Sequence, residues 1–160
     1  MKPLLAITAI GLLISIGICE SHSANASLPL AVVVHKSNPT ENLSVSQLRR
    51  LFLGTVREWP SHKRVILVHR DAISPVFQAL LRTVLHMTAP EYQRHALNLE
   101  FRGEEPLSIK ILNSNEAACK FVFNVPGAVG VIDAAAILND QVKVVRVDGK
   151  MPGDAAYILQ

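Results

Sequence analysis

Arg70 and Ser74 are the residues whose types and spacing best suit the binding of a small oxyanion. An arginine guanidinium is always charged and can donate two parallel hydrogen bonds to one oxyanion. Ser74 precedes Pro75, a pair typical of a helix start, where free backbone N–H groups favour negative charge. The residue types leave an alternative open, in which Ser74 only caps the helix and Arg70 pairs with Asp71 or a neighbouring carboxylate.

Catalytic motifs are absent from the sequence. It has no Gly-x-Ser-x-Gly elbow, no His-Glu-x-x-His pair and no Walker loop. Ser74, His69 and Asp71 are the residue types of a hydrolase triad, but nearness in sequence does not provide triad geometry. We therefore expect a non-catalytic protein without a cofactor.

We expect structural roles for two histidines, the tryptophan and the cysteine of the exported part. His35 and His69 each follow an apolar run and could share one sheet edge, but neither has a partner at metal-binding spacing, so both are predicted to be surface or loop residues. Trp59 could stack on a ligand, although its position beside a proline favours a small satellite core. Cys119 follows two alanines in a helical pattern, which indicates buried packing.

The candidate residues belong to a sequence in which strand and helix patterns alternate. Short apolar runs predict strands, and Ser or Thr followed three residues later by Gln or Glu predicts capped helix starts. The strands are expected at Leu30–Val34, Val65–Val68, Ile109–Leu112, Val129–Ile132 and Val142–Val147, and the helices begin near Ser44, Ser74, Thr88 and Asn113 or Ser114. This order predicts an α/β fold with a mainly parallel sheet that helices cover on both faces.

The N-terminus has the features of a signal peptide. Lys2 precedes an apolar run from Leu4 to Ile18, and Ala24-Asn25-Ala26 is a small-x-small cleavage site. A transmembrane anchor is the alternative, but a span needs roughly 20 apolar residues. We predict cleavage after Ala26, release into the periplasm, and a single domain over residues 27–160.

Charge limits the classes of partner. The chain has 16 Lys and Arg against 13 Asp and Glu, for a net charge of +3. Such a moderate positive charge fits a small anionic ligand, an acidic partner or a solvated face. The basic residues are dispersed and aromatic residues make up 5% of the chain, so we do not expect nucleic-acid binding.

Three segments resemble the phosphate-binding proteins of bacterial ABC importers. They are Leu48-Arg-Arg-Leu-Phe-Leu-Gly54 with Trp59, Ile66-Leu-Val-His-Arg-Asp-Ala-Ile-Ser74 leading to Phe77, and Pro126-Gly-Ala-Val-Gly130. The resemblance covers about residues 31–132 and implies a single lobe of a type 2 periplasmic-binding-protein-like fold. It also implies that Arg70 and Ser74 contact phosphate or another oxyanion.

The sequence departs from that family at the anion loop. Ile73, Pro75 and Val76 stand where the family has Gly, Gly and Thr, so one backbone donor and one hydroxyl are missing. No early Gly-Ser-Thr loop is found, and the chain has about half the length of a two-lobed member. The resemblance therefore implies oxyanion binding, in phosphate uptake or sensing with a membrane transporter or sensor protein. The alternative is a degenerate scaffold that serves as a protein-interaction or accessory subunit without a ligand.

Overall fold

A computed structural model describes residues 29–137 and 141–159. The predicted signal peptide and its cleavage site lie outside the described residues. Within the described ranges, no helix has the length and apolar character needed to cross a membrane.

The described chain alternates strands and helices. The strands are β1 (Leu30–Val34), β2 (Asn42–Leu43), β3 (Ile66–Arg70), β4 (Ile109–Leu112), β5 (Ala128–Asp133) and β6 (Lys143–Val147). The helices are α1 (Val45–Phe52), α2 (Pro75–Leu80) with a π-helical continuation (Leu81–Leu85), α3 (Ala89–Phe101), α4 (Asn115–Asn124) and a 3₁₀ turn (Ala134–Ala136). The α/β class is confirmed.

The six strands form one mixed sheet in the order β2-β6-β1-β5-β3-β4. β3 runs parallel to β4 and β5, and β2 runs parallel to β6. β1 lies antiparallel to both β5 and β6, with Val32 opposite Val131 and Val145. The sheet is therefore mainly parallel, as predicted, and β1 alone runs in the opposite direction.

Helices cover both faces of the sheet. Side chains alternate along a strand, so β1 presents Val32 and Val34 to a core shared with α1, α2 and α3, and Ala31 and Val33 to a smaller core with α4. All four of these β1 residues are fully buried. The continuous apolar run of β1 is thus explained by burial on two sides.

Helix starts agree with the sequence patterns. Ser44 and Thr88 form the two predicted capping boxes, with Gln47 and Glu91 accepting from the cap N–H groups at 2.8 and 2.7 Å. Ser114 caps α4 by accepting from the Ala117 N–H at 3.0 Å. α3 runs three residues beyond the predicted end near Asn98, and the two-residue strand β2 was not predicted.

Trp59 belongs to the main core, so the expectation of a satellite core is wrong. Its side chain is 4% exposed and packs in the same cluster as β1, β3 and α1. Its indole Nε1–H donates to the Gly127 carbonyl at 2.9 Å, and the Ile66 N–H donates to the same oxygen at 3.0 Å. This contact ties the segment before β3 to the turn before β5.

Gly127 is required at that turn by its backbone. Its φ of +135° is a conformation that L-residues rarely adopt, and a Cβ placed there would lie 2.4 Å from the Arg64 carbonyl oxygen. We expect Gly127→Ala to lower the free energy of unfolding by at least about 3 kcal/mol. Urea denaturation measures this change.

Gly103→Ala is the matched control for that substitution. Gly103 has a φ of +70°, but nothing lies within 4 Å of its hypothetical Cβ. The control therefore has only the conformational cost, about 1 kcal/mol. Equal losses in the two variants would contradict the role assigned to the close approach at Gly127.

Candidate functional site

The carboxyl ends of β3, β4 and β5 meet at one edge of the sheet, because these strands are parallel. Arg70 is the last residue of β3 and lies opposite Leu112, the last residue of β4. Ser74 lies in the loop that follows β3, and Asn113 lies in the loop that follows β4. Open α/β sheets commonly bind ligands at this edge.

Arg70 has polar partners but no carboxylate partner in the part of the chain that the structure describes. Its Nη1 donates to the Asn115 Oδ1 at 3.1 Å, and its Nη2 donates to the Asn113 carbonyl at 2.8 Å. Its Nε is buried and has no partner. The predicted alternative pairing with Asp71 is not observed, and the guanidinium charge is held in place by neutral groups.

Ser74 occupies the N-cap position of α2, as expected, but its hydroxyl does not cap the helix. The residue is extended, with φ −62° and ψ 131°, and Pro75 follows at the first helical position. The residue is 5% exposed, and its Oγ is buried without a hydrogen-bond partner among the residues that the structure describes. Both predicted site residues therefore lie at the same edge, and each keeps an unpaired polar atom.

The turn between them is organised by Asp71. Its Oδ1 accepts from the Ile73 N–H at 3.2 Å, and its carbonyl accepts from the Ser74 N–H at 3.1 Å. Ile73 projects from this turn with 89% of its surface exposed. Its side chain consequently contributes little packing to the fold.

His69 is a core residue, so the prediction of a surface or loop position is wrong. β3 extends to Arg70, beyond the predicted end at Val68, and strand alternation places His69 on the same face as Leu67. The residue is 5% exposed, and its ring stacks on Phe77 with centroids 4.0 Å apart. Burial lowers the pKa of His69, and the bond to the Arg70 carbonyl opposes this shift only in part.

The two histidines considered together in the sequence lie at opposite edges. His35 follows β1, and β1 runs against β3, so the ends of the two strands point in opposite directions. His35 contacts Ser37 through Nδ1 at 2.8 Å. The sequence could not show this separation, because an apolar run indicates burial and not strand direction.

Arg70 and His69 lie on opposite faces of β3. His69 packs with Phe77 and Tyr92 on the face covered by α2 and α3, whereas Arg70 contacts the start of α4. Asn113 and Asn115 were not predicted from the sequence as partners of Arg70. Their contact with Arg70 depends on the pairing of β3 with β4, which the sequence does not specify.

Other reactive groups have structural surroundings. Cys119 is free and buried, and burial raises the pKa of its thiol, which confirms the predicted packing role. Among residues 29–137 and 141–159, no group of three or more His, Cys, Asp or Glu side chains is arranged to hold a metal ion.

Comparisons with known proteins support the fold. No protein-family model and no curated protein matches the chain. Among solved structures, a protein assigned as a phosphate ABC transporter substrate-binding protein from Clostridium perfringens, with bound phosphate, is 22% identical with a TM-score of 0.62. An ABC-type phosphate transport receptor from Vibrio cholerae is 21% identical, and PstS from Borrelia burgdorferi is 13% identical, both with a TM-score of 0.62.

These structures are about twice as long as the matching region. The alignments cover 76% to 78% of this chain but only 45% to 49% of the other chains. The resemblance to phosphate ABC transporter substrate-binding proteins is confirmed as a resemblance of fold, and it extends over one lobe.

His69 makes stability depend on pH. Because its folded pKa is lowered from 6.5, the unfolded chain binds a proton below that pH more readily than the folded chain does. We expect the free energy of unfolding to fall as pH falls below 6.5, by up to about 1.4 kcal/mol per pH unit from this group. Urea denaturation between about pH 8 and pH 5 measures the slope.

His69→Phe isolates this contribution from that of other titrating groups. Phenylalanine keeps a flat ring against Phe77 and has no ionisable group. The variant should lose the part of the slope below pH 6.5 that His69 causes. Identical slopes in the two proteins would contradict the assignment.

Proposed function

We propose that this chain is an exported, non-catalytic solute-binding module that holds a small oxyanion such as phosphate with Arg70 and Ser74. The observation that carries the proposal is the pair of unpaired donors at the carboxyl edge of the sheet, the Arg70 Nε and the Ser74 hydroxyl. An oxyanion would accept from both groups, and its charge would balance a guanidinium whose partners within the described residues are all neutral.

Entry of the anion requires a small movement of the loop. The Ser74 Oγ and the Arg70 Nε are covered by protein, so residues 71–73 must open for a ligand to reach them. Ile73 is 89% exposed, so its side chain does not hold the loop in place, whereas the Gln78 side chain of α2 donates to the Ala72 carbonyl and would have to release it.

A catalytic use of the same residues has no geometric support. The His69 Nδ1 contacts the Arg70 carbonyl rather than Asp71, and the Ser74 hydroxyl contacts no base. In a catalytic triad the aspartate is hydrogen-bonded to the histidine, and the histidine is hydrogen-bonded to the serine hydroxyl. A binding role is thus the better account of the site.

A single lobe would bind weakly by itself. A two-lobed protein closes on its ligand and excludes water, and this chain spans less than half of the two-lobed structures it resembles. We propose that a membrane transporter or sensor protein in the cell envelope completes the site. The periplasmic location rests on the predicted signal peptide.

Isothermal titration of the purified full-length chain with phosphate and with sulfate at low salt tests the proposal. Charged hydrogen bonds of this kind contribute about 1.5–3 kcal/mol, so Arg70→Ala should weaken binding by roughly tenfold or more. Arg82→Ala removes the same charge from an exposed helical position and should bind like the unmodified chain. Absence of heat and of thermal protection with either anion would refute oxyanion binding.

A protein-interaction role is the second candidate, and the exposed Ile73 favours it. Ile73 is 89% exposed at the carboxyl edge of the sheet, where a bound protein would remove its apolar side chain from water. In that case Ile73→Asp should abolish crosslinking of the chain to its envelope partner while leaving thermal stability unchanged. Phe101→Asp is the matched control, since Phe101 is 86% exposed at the end of α3 and precedes the opposite end of β4. Equal crosslinking in both variants would exclude a contact centred on Ile73.

A further inference from the structure

An apolar cavity of about 410 Å³ lies between α3 and β4, on the face of the sheet opposite to Arg70. Its walls include Ile109 and Ile111 from β4 and Gln93 from α3. His69, Phe77 and Tyr92 also line it, and the remaining lining residues are alanines and one proline. None of the lining residues carries a fixed charge. The volume falls in the range of small-molecule sites, about 300–1,000 Å³.

Three rings are locked together at this cavity. His69 stacks on Phe77 with an interplanar angle of 7°, and Tyr92 meets both rings edge-on at 5.9 and 5.7 Å. The Tyr92 hydroxyl donates to the Phe52 carbonyl at 3.1 Å, so its donor is already used. The rings therefore provide a preformed aromatic wall in which the orientation of His69 is fixed.

The His69 ring lines the cavity and has an acceptor that no group in the described residues uses; like the Arg70 Nε and the Ser74 Oγ, this atom is covered in the structure, so a ligand reaches it only after a small shift of the surrounding side chains. Its Nδ1 lies 2.7 Å from the Arg70 carbonyl oxygen, and a carbonyl only accepts, so Nδ1 carries the proton. In the neutral ring the other nitrogen, Nε2, is then an acceptor, and it is buried with no partner in residues 29–137 and 141–159. A buried acceptor of this kind costs stability and calls for an explanation, such as a ligand that supplies the missing donor.

We propose that this cavity binds a compact, uncharged aromatic molecule that donates one N–H or O–H hydrogen bond to the His69 Nε2. The uncharged lining disfavours ions, because no opposite charge is present to offset their desolvation. The aromatic wall favours a flat ring, and the unpaired acceptor selects for one donor. The site is distinct from the Arg70 site because successive side chains of β3 point to opposite faces, and although Ala72 of the intervening loop lines the cavity, neither the aromatic wall nor the Nε2 acceptor takes part in oxyanion binding.

Indole and benzofuran form the matched probe pair, since they share a ring frame and only indole has an N–H donor. Titration of the full-length chain at about pH 8, followed by NMR, should give roughly three- to tenfold tighter binding of indole. The Nε2 nitrogen shift of His69 should move with indole and stay unchanged with benzofuran. Equal affinity for the two probes, or binding of neither, would overturn the proposal without any substitution in the protein.

Two variants and a control extend the test. His69→Phe removes the acceptor and keeps a ring, so the indole preference should disappear. Ala96→Phe fills the cavity and should abolish binding of both probes, whereas Ala135→Leu, exposed on the 3₁₀ turn, should have no effect. A preserved indole preference in His69→Phe, or unchanged binding in Ala96→Phe, would place the probes elsewhere and refute the proposal.

Discussion

The position of β1 in the middle of the sheet is the constraint on which the rest of the structure depends. β1 pairs with β5 on one side and with β6 on the other, and Ala31 to Val34 are completely buried. Without it the sheet would separate into β2-β6 and β5-β3-β4. β1 alone runs in the reverse direction, and the carboxyl ends of β3, β4 and β5 meet at one edge because these strands pair parallel to one another.

Alternation along β3 then divides the chemistry of that edge. His69 and Arg70 are neighbours in sequence, but one packs against the rings of α2 and α3 and the other contacts the start of α4. The first environment is apolar, and burial there lowers the pKa of the histidine. In the second environment two amide oxygens accept hydrogen bonds from the Arg70 guanidinium. Two adjacent residues therefore lie in different electrostatic environments, one apolar and one polar.

Local patterns in the sequence predicted most of the elements and the side-chain caps at Ser44, Thr88 and Ser114, but they predicted neither β2 nor the arrangement of the sheet. Capping boxes at Ser44 and Thr88 depend on residues three positions apart, so they can be read directly. The burial of His69 and the partners of Arg70 depend on β3 lying between β5 and β4, a long-range pairing. β2 is too short to show a period, and it exists because β6 provides its hydrogen-bonding edge.

Unpaired polar atoms are concentrated in one short segment of the fold. Of the four buried side-chain atoms without a partner in the described residues, three belong to His69, Arg70 and Ser74. Each such atom costs about 1–3 kcal/mol when nothing satisfies it. Simple substitutions such as phenylalanine for histidine would remove this cost if the segment served only packing. Local violations of this kind are expected where function is placed, and here they fall at the edge where sheets of this class bind ligands.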